Sequence, residues 1–222
     1  MHYPLNFLLL PKLTSLARMG LTILLGSLLT GMAVAITLDI YHKKQIKLGT
    51  AFKTALKKYI YLFSVVFLFT LLFYLLVKIF TIGLIKYFIA GHRRLLFLGI
   101  GIWLGPILII INFLLALFVQ SAFIYAIPLI IIEKEKLIKA IIKSFALFKK
   151  LFVPTLILVG LPMLLYIPII ILQYKSAILM SRLFPEAILL VSILGLVISS
   201  LVIDPIVTIS TTFLYLLNKE KI

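Results

Sequence analysis

The chain has 222 residues, of which 64% are hydrophobic and only 13% are charged. Soluble domains carry about 25% charged residues, so this composition excludes a soluble globular protein and indicates an integral membrane protein. The formal net charge is +16, from 22 Lys and Arg against 6 Asp and Glu. Because these charges lie between apolar runs, they are typical of cytoplasmic loops, and we expect no nucleic-acid binding.

The N-terminal part of the chain predicts an interfacial segment followed by a first crossing. Residues 1–20 are interrupted by Pro11 and lack the basic start and cleavage pattern of a signal peptide. The apolar run from Leu21 to Tyr41 then matches the thickness of a bilayer. Its small residues favour close contact between helices.

Two later segments combine a helical period with many lysines, and both predict amphipathic helices that lie on the membrane surface. In the segment that begins at Leu48, apolar residues share one face and Lys53 and Lys57 lie on the other. The segment from Leu137 to Leu151 has the same pattern. Its lysines opposite the apolar face are Lys136, Lys139, Lys143 and Lys150. All six lysines are candidates for binding anionic lipid headgroups.

The middle of the chain admits two topologies. A crossing from Tyr59 to Val77 is expected to end at Lys78, with residues 79–91 along the opposite surface. The uncharged run from Leu95 to Ile132 is longer than one crossing. We interpret it as one crossing, roughly Ile107–Ile132, preceded by an interfacial or re-entrant piece with a break near Gly99, Gly101, Gly105 and Pro106. Two crossings would place the two lysine-rich segments on opposite sides of the membrane.

The remaining spans complete an all-α polytopic transmembrane helix bundle with amphipathic interfacial helices. Residues 151–172 predict a crossing bent at Gly160, Pro162 or Pro168, because an interior proline removes a helix hydrogen bond. After an outer loop, residues 187–217 predict the last crossing. This makes about five crossings of a cytoplasmic membrane, with the N-terminus outside and the C-terminus cytoplasmic.

The pattern of a basic surface helix followed by an outward and an inward crossing occurs twice. One constant shift superposes Lys53 and Lys57 on Lys139 and Lys143. We therefore divide a single integral membrane domain, residues 1–222, into a partial repeat at 1–45 and two repeats at 46–133 and 134–222.

Three segments also carry a resemblance: KLGTAFKTALKKY, FIYAIPLIIIEKEKLIKAIIKSFALFKKLF and TISTTFLYLLNKEK. They resemble the membrane domain found beside bacterial glycerophosphodiester phosphodiesterases and in related six-helix membrane proteins. The resemblance covers roughly residues 33–221, without the first helix and without a phosphodiesterase domain. It implies a membrane-embedded accessory role, and no catalytic residue is carried over from it.

Three polar residues interrupt the predicted crossings. A carboxylate such as Asp204 costs about 2.5–3.5 kcal/mol on insertion scales and can mark an ion or proton path. We favour a helix cap for Asp204, at a break in the last helix, because Pro205 suits the first helical position. Gln120 and Asn112, about two turns apart, either line a polar path or form interhelical hydrogen bonds.

The pattern of reactive residues argues against an enzyme. The three histidines, His2, His42 and His92, lie far apart, and the chain has no cysteine. We therefore predict no catalytic, cofactor or metal site. The leading expectation is a non-enzymatic protein that organises anionic membrane lipids, a partner protein or a second copy through its basic helices. A transport subunit with Asp204 and Gln120 along a path is the alternative, and a lipid enzyme ranks third.

Overall fold

A computed structural model describes residues 19–20, 22–91, 101–174 and 187–219, and every regular element within them is helical. The predictions for residues 1–18, for the start of the run at 95 and for the outer loop at 175–186 lie outside the described residues. The α-helices are α1 (Ser27–Tyr41), α2 (Leu48–Lys57), α3 (Tyr59–Gly91), α4 (Gly101–Phe123), α5 (Ala126–Ile132), α6 (Leu137–Lys150), α7 (Phe152–Leu164), α8 (Ile167–Tyr174), α9 (Ala187–Ile198) and α10 (Asp204–Lys219). Two π-helical turns, Thr22–Gly26 and Ser199–Ile203, precede α1 and α10.

The lengths of these helices confirm a multi-pass membrane protein. Four stretches of the described chain are long and apolar enough to cross a bilayer: Ile23–Tyr41, Tyr59–Gly83, Gly105–Ile132 and Leu190–Lys219. Helices α6 and α7 pass the same test together, but they meet at 97°. The all-α bundle with four to five crossings is therefore confirmed.

The interruption predicted at Lys78 is wrong. Helix α3 continues through Lys78 to Gly91 without a break. The Lys78 ammonium lies 4.9 Å from the centre of the Tyr74 ring, so the ring face compensates part of its charge on the helix.

The single crossing predicted at about residues 107–132 agrees with the apolar stretch Gly105–Ile132, which includes a short interruption between α4 and α5. Gly105 and Pro106 lie inside α4, and the part of the predicted break around Gly99 lies outside the described residues.

Within residues 151–172, where the bend is predicted, the helix is interrupted between α7 and α8. The amide of Leu165 donates to the carbonyl of Pro162 at 3.1 Å, and that of Tyr166 to the carbonyl of Met163 at 3.0 Å. These short-range bonds tighten the last turn of α7. Pro168 has no amide proton to continue the α-helical pattern, so a new helix begins beyond the turn.

The predicted break at Asp204 is wrong. Its backbone is helical, with φ −61° and ψ −43°, whereas a capping residue has an extended backbone. The chain passes from α9 to α10 through the π-helical turn. An α-helical turn would bring the Pro205 ring against the carbonyl of Leu201, and a wider turn relieves that clash.

The C-terminal ends of α1, α5 and α10 lie side by side at one end of the bundle. The rings of Tyr41 and Phe213 are 6.4 Å apart, and Lys219 Nζ lies 3.6 Å from Glu133 Oε1. The basic helices, α2 and α6, follow α1 and α5, so both start from this end. Apart from Lys78, every lysine whose side chain the structure describes belongs to the segments 42–58, 133–151 or 219, which we call the basic end.

The connections into the two basic helices have similar local geometry. Two residues after each crossing, Lys43 and Lys134 adopt positive φ angles of 54° and 57°. Lys47 and Lys136 then have extended backbones just before each helix. The buried residues of the two helices are Ala51 and Ala55 in α2, and Ala140 and Ser144 in α6. By burial, Ala51 and Ala55 of α2 correspond to Ala140 and Ser144 of α6. This correspondence differs from the sequence match of Lys53 and Lys57 with Lys139 and Lys143.

Candidate functional site

Helix α2 folds back along α1 and does not extend away from its tip. A Cβ atom on Gly31 would lie 3.3 Å from the Cβ of Ala55, and the Tyr59 hydroxyl donates to the carbonyl of Leu24 at 3.2 Å. Small residues permit this close approach of the two helices. Part of the predicted apolar face is therefore buried against α1, while Leu48 (65% exposed) and Phe52 remain on the outer surface.

Helix α6 is attached to the crossing helices through its small residues. Ala140 and Ser144 are fully buried, and the Ser144 hydroxyl donates to the carbonyl of Ala122 in α4 at 2.7 Å. The larger apolar residues Ile138 (71% exposed) and Ile142 point away from the protein. Both basic helices therefore expose apolar side chains next to lysines.

Five of the six predicted headgroup lysines have exposed side chains with no ion pair among the described residues. They are Lys53, Lys57, Lys136, Lys139 and Lys150. The sixth, Lys143, pairs with two carboxylates: its Nζ lies 2.5 Å from Glu135 Oε1 and 3.1 Å from Glu133 Oε2. Lys143 is therefore held by the protein itself and orients α6 against the end of α5.

Glu133 is the centre of this cluster. Its carboxylate also accepts a hydrogen bond from the Tyr215 hydroxyl in α10 and lies near Lys219. Burial would raise the pKa of the Glu133 carboxyl, but the hydrogen bonds from Tyr215 and Lys143 and the nearby ammonium groups together lower it below its ordinary value. Hydrogen bonds to Glu135 and Glu133 raise the pKa of Lys143. At neutral pH Glu133 and Lys143 are therefore both charged.

A cleft of about 440 Å³ lies beside this cluster, between α6 and α10. Its apolar side includes Leu129 and Leu147, and Lys150 and Lys219 lie on its basic side. Acyl chains require an apolar surface and lipid phosphates require cations. The cleft therefore presents both kinds of surface, and the Glu133 carboxylate lines it as well.

The three predicted polar residues of the crossings line half-open cavities between the helices. Gln120 and Asp204 both line two cavities, of about 150 and 380 Å³, and Asn112 lines the larger one. The Asn112 Oδ1 atom is buried and has no hydrogen-bond partner in the described part of the chain. The interhelical hydrogen bond expected for it is therefore not formed through this oxygen.

Sequence reasoning missed several residues of both sites. Tyr166 and Ser199 line the larger cavity. Tyr166 lies in the interruption after α7, which the prolines indicate, but the prolines do not indicate which side chain reaches the cavity. Ser199 lies in the π-helical turn, which has no clear sequence signal. Tyr215 reaches Glu133 across 82 residues. Within the described residues, no group of three or more His, Cys, Asp or Glu side chains could hold a metal ion. No family model, curated protein or solved structure matches the chain.

Proposed function

We propose that this protein is a non-enzymatic membrane protein that organises anionic lipids through its basic end. The observation that carries the proposal is that α2 and α6 start from the same end of the bundle and both expose lysines beside apolar side chains. Apolar side chains of this kind enter the boundary between headgroups and acyl chains. Lysines beside them attract anionic headgroups, each contributing about 1 kcal/mol near a charged surface.

The orientation of α6 supports this role. Helix α7 is apolar and meets α6 at 97°. If α7 crosses the bilayer, α6 lies nearly parallel to its surface. The ion pairs of Lys143 with Glu133 and Glu135 hold α6 there, so that Lys139 and Lys150 face the headgroups from a fixed helix.

From the positive-inside tendency we propose that the basic end, and with it the C-terminus, faces the cytoplasm. We therefore propose a cytoplasmic membrane location, where anionic lipids provide the complementary charge. The resemblance to membrane domains found beside glycerophosphodiester phosphodiesterases adds the proposal of an accessory role. A partner protein or a second copy of the chain would then assemble on the same organised lipids.

Lipid binding by the purified chain tests the proposal. Short-chain anionic and zwitterionic phospholipids are titrated into the protein in detergent, at low and high salt. We expect stronger binding of the anionic lipid, weakened by salt. Replacing Lys53, Lys57, Lys139 and Lys150 together by Gln should weaken that binding at least about tenfold, given the contribution of each lysine.

The control is Lys78→Gln, which removes the described lysine that lies away from the basic end. It should leave the lipid preference unchanged. Equal binding of the two lipids, or an anionic preference that survives the fourfold substitution, would refute the proposed role.

Transport is a second candidate function, because Gln120 and Asp204 line the same two half-open cavities between the helices. A carboxylate and an amide beside one cavity can form part of a polar route across the bilayer. Flux of small ions in reconstituted vesicles tests this candidate. Asp204→Asn should abolish the flux, and flux that is absent from the unaltered protein would exclude the candidate.

A further inference from the structure

The cleft between α6 and α10 has the size of a ligand site. Its volume is about 440 Å³, within the range of about 300–1,000 Å³ that is typical of small-molecule sites. Leu129 of α5 and Leu147 of α6 contribute apolar surface to it. Lys150 and Lys219, the last residues of α6 and α10, line it as well. A ligand that fills the cleft must therefore combine an apolar part with a part that suits ammonium groups.

The carboxylate of Glu133 also lines the cleft, but the protein itself compensates its charge. Its Oε1 atom accepts a hydrogen bond from the Tyr215 hydroxyl and lies 3.6 Å from Lys219 Nζ. Its Oε2 atom lies 3.1 Å from Lys143 Nζ. Because both oxygens already have partners, Glu133 holds the neighbouring cations in place and repels a second anion less than an unpaired carboxylate would.

The charges around the cleft leave a positive excess. Lys143, Lys150 and Lys219 all line it. The carboxylates of Glu133 and Glu135 both pair with Lys143, and together they compensate two of the three ammonium charges. Lys150 has no ion pair among the described residues. The phosphodiester of a phospholipid carries a single negative charge and therefore matches this excess.

The length of the last crossing places the cleft at the depth of lipid headgroups. The apolar stretch Leu190–Lys219 has 30 residues, which is about 45 Å of helix at 1.5 Å per residue. A bilayer with its headgroup regions is about 40–45 Å thick. Lys219, at the basic end of this stretch, therefore reaches the phosphates, while Leu129 and Leu147 offer apolar surface for the adjoining part of a lipid.

We propose that this cleft binds the phosphate of one anionic phospholipid molecule, with Lys150 and Lys219 as its cations and Leu129 and Leu147 against the start of its acyl chains. The inference deepens the proposed function and rests on it. Lysines exposed along α2 and α6 attract many lipids weakly, whereas the cleft holds one lipid with saturable affinity. Lys143 is a positioning residue, because its pairs with Glu133 and Glu135 hold α6 opposite α10.

Titration of the full chain in an uncharged detergent tests the proposal. The three probes are short-chain phosphatidylglycerol, phosphatidylcholine of the same chain length, and inorganic phosphate. Phosphatidylglycerol should bind one saturable site, with a Kd at least about tenfold lower than the Kd of either other probe. Inorganic phosphate that binds as tightly as phosphatidylglycerol would overturn a lipid as the ligand.

Single substitutions locate the site. Lys150→Gln and Lys219→Gln should each raise the Kd for phosphatidylglycerol about fivefold or more, the loss of one cation near the phosphate. Lys78→Gln, away from the basic end, should leave it unchanged. Ala146 is exposed on α6 and lines the cleft, so its side chain can be extended without disturbing the core. Ala146→Glu should weaken binding more than Ala146→Gln, because the two differ in charge but hardly in size.

A Kd for phosphatidylglycerol that is unchanged in Lys150→Gln, Lys219→Gln and Ala146→Glu would overturn the cleft site. The proposed function would survive that result if the preference for anionic lipid persisted and were weakened by replacing lysines of α2. Equal binding of phosphatidylglycerol and phosphatidylcholine by the unaltered protein would instead overturn both. The two failures are therefore distinguishable in one set of titrations.

Discussion

The Tyr215 hydroxyl donates a hydrogen bond to the Glu133 carboxylate, although 82 residues separate them in the chain. The contact joins the end of α10 to the connection between α5 and α6. Lys143 pairs with the same carboxylate from α6, and Lys219 lies beside it. One acidic residue thus connects a crossing helix, a basic helix and the last described turn of the chain.

Loss of the Tyr215 hydroxyl should destabilise the fold. A hydrogen bond to a charged group contributes about 1.5–3 kcal/mol, and Tyr215 is buried. Tyr215→Phe should therefore lower Tm by about 3–12 °C in detergent. Tyr74→Phe, which changes an exposed tyrosine, is the matched control and should change Tm little. Equal effects of the two variants would show that the contact with Glu133 contributes nothing measurable.

The Glu133 cluster should make stability depend on pH at both extremes. The pKa of Glu133 lies below 4.5, its ordinary value, in the folded protein. The stability that its charged form contributes is therefore present above pH 4.5 and is lost as the pH falls through the folded pKa. The pKa of Lys143 lies above 10.5, its ordinary value, in the folded protein. The stability that its charged form contributes is therefore present below pH 10.5 and is lost as the pH rises through the folded pKa.

We expect Glu133→Gln to have a lower Tm than the unaltered protein across neutral pH. The difference should shrink in acid, where Glu133 of the unaltered protein becomes protonated. It should also shrink in strong base, where Lys143 loses its proton. Thermal unfolding across this pH range provides the measurement. A Tm difference that stays constant as the pH falls well below the ordinary pKa of a glutamate would contradict the assigned role of Glu133.

Gly31 should tolerate no side chain, because α2 and α3 approach α1 there. A Cβ atom would lie 2.5 Å from Leu62 Cδ1 and 3.3 Å from Ala55 Cβ, and both neighbours are fully buried. Gly31→Ala should lower the free energy of unfolding by about 1–3 kcal/mol, as overpacked cores do. Gly49→Ala is the matched control.

Gly49 lies in α2, and no neighbouring atom lies within 4 Å of the position that an alanine methyl group would take there. An alanine at this position should stabilise the helix by about 0.5–1 kcal/mol. Thermal unfolding of the two variants gives opposite signs if the packing is as described. Two changes of the same sign would argue against the close approach of α1 and α2.

Much of the architecture could be predicted from the position of apolar runs and charges. The predicted crossings that end at Tyr41 and Ile132 both correspond to helical stretches that are long and apolar enough to cross a bilayer. The helical period of the lysine-rich segments correctly located α2 and α6. Pro168 correctly indicated an interruption of the helix, because the missing amide acts locally.

Contacts between distant residues could not be predicted in this way. The lysines suggested one alignment of α2 with α6, but burial of Ala51, Ala55, Ala140 and Ser144 produces another, because packing depends on small residues and not on exposed charges. The Asp204–Pro205 pair has the local pattern of a helix start, yet the π-helical turn accommodates the proline within one long crossing. The partnership of Glu133 with Tyr215 depends on the tertiary fold alone.

The account depends on α2 and α6 starting from the same side of the membrane. Because the chain has no cysteine, single-cysteine variants at Lys44 and Lys136, in the connections before the two helices, can be labelled with an impermeant maleimide from either face of oriented vesicles. Both should react from one face, and Ser181→Cys, in the segment predicted to be an outer loop, should react from the other. Labelling of Lys44→Cys and Lys136→Cys from opposite faces would contradict the account.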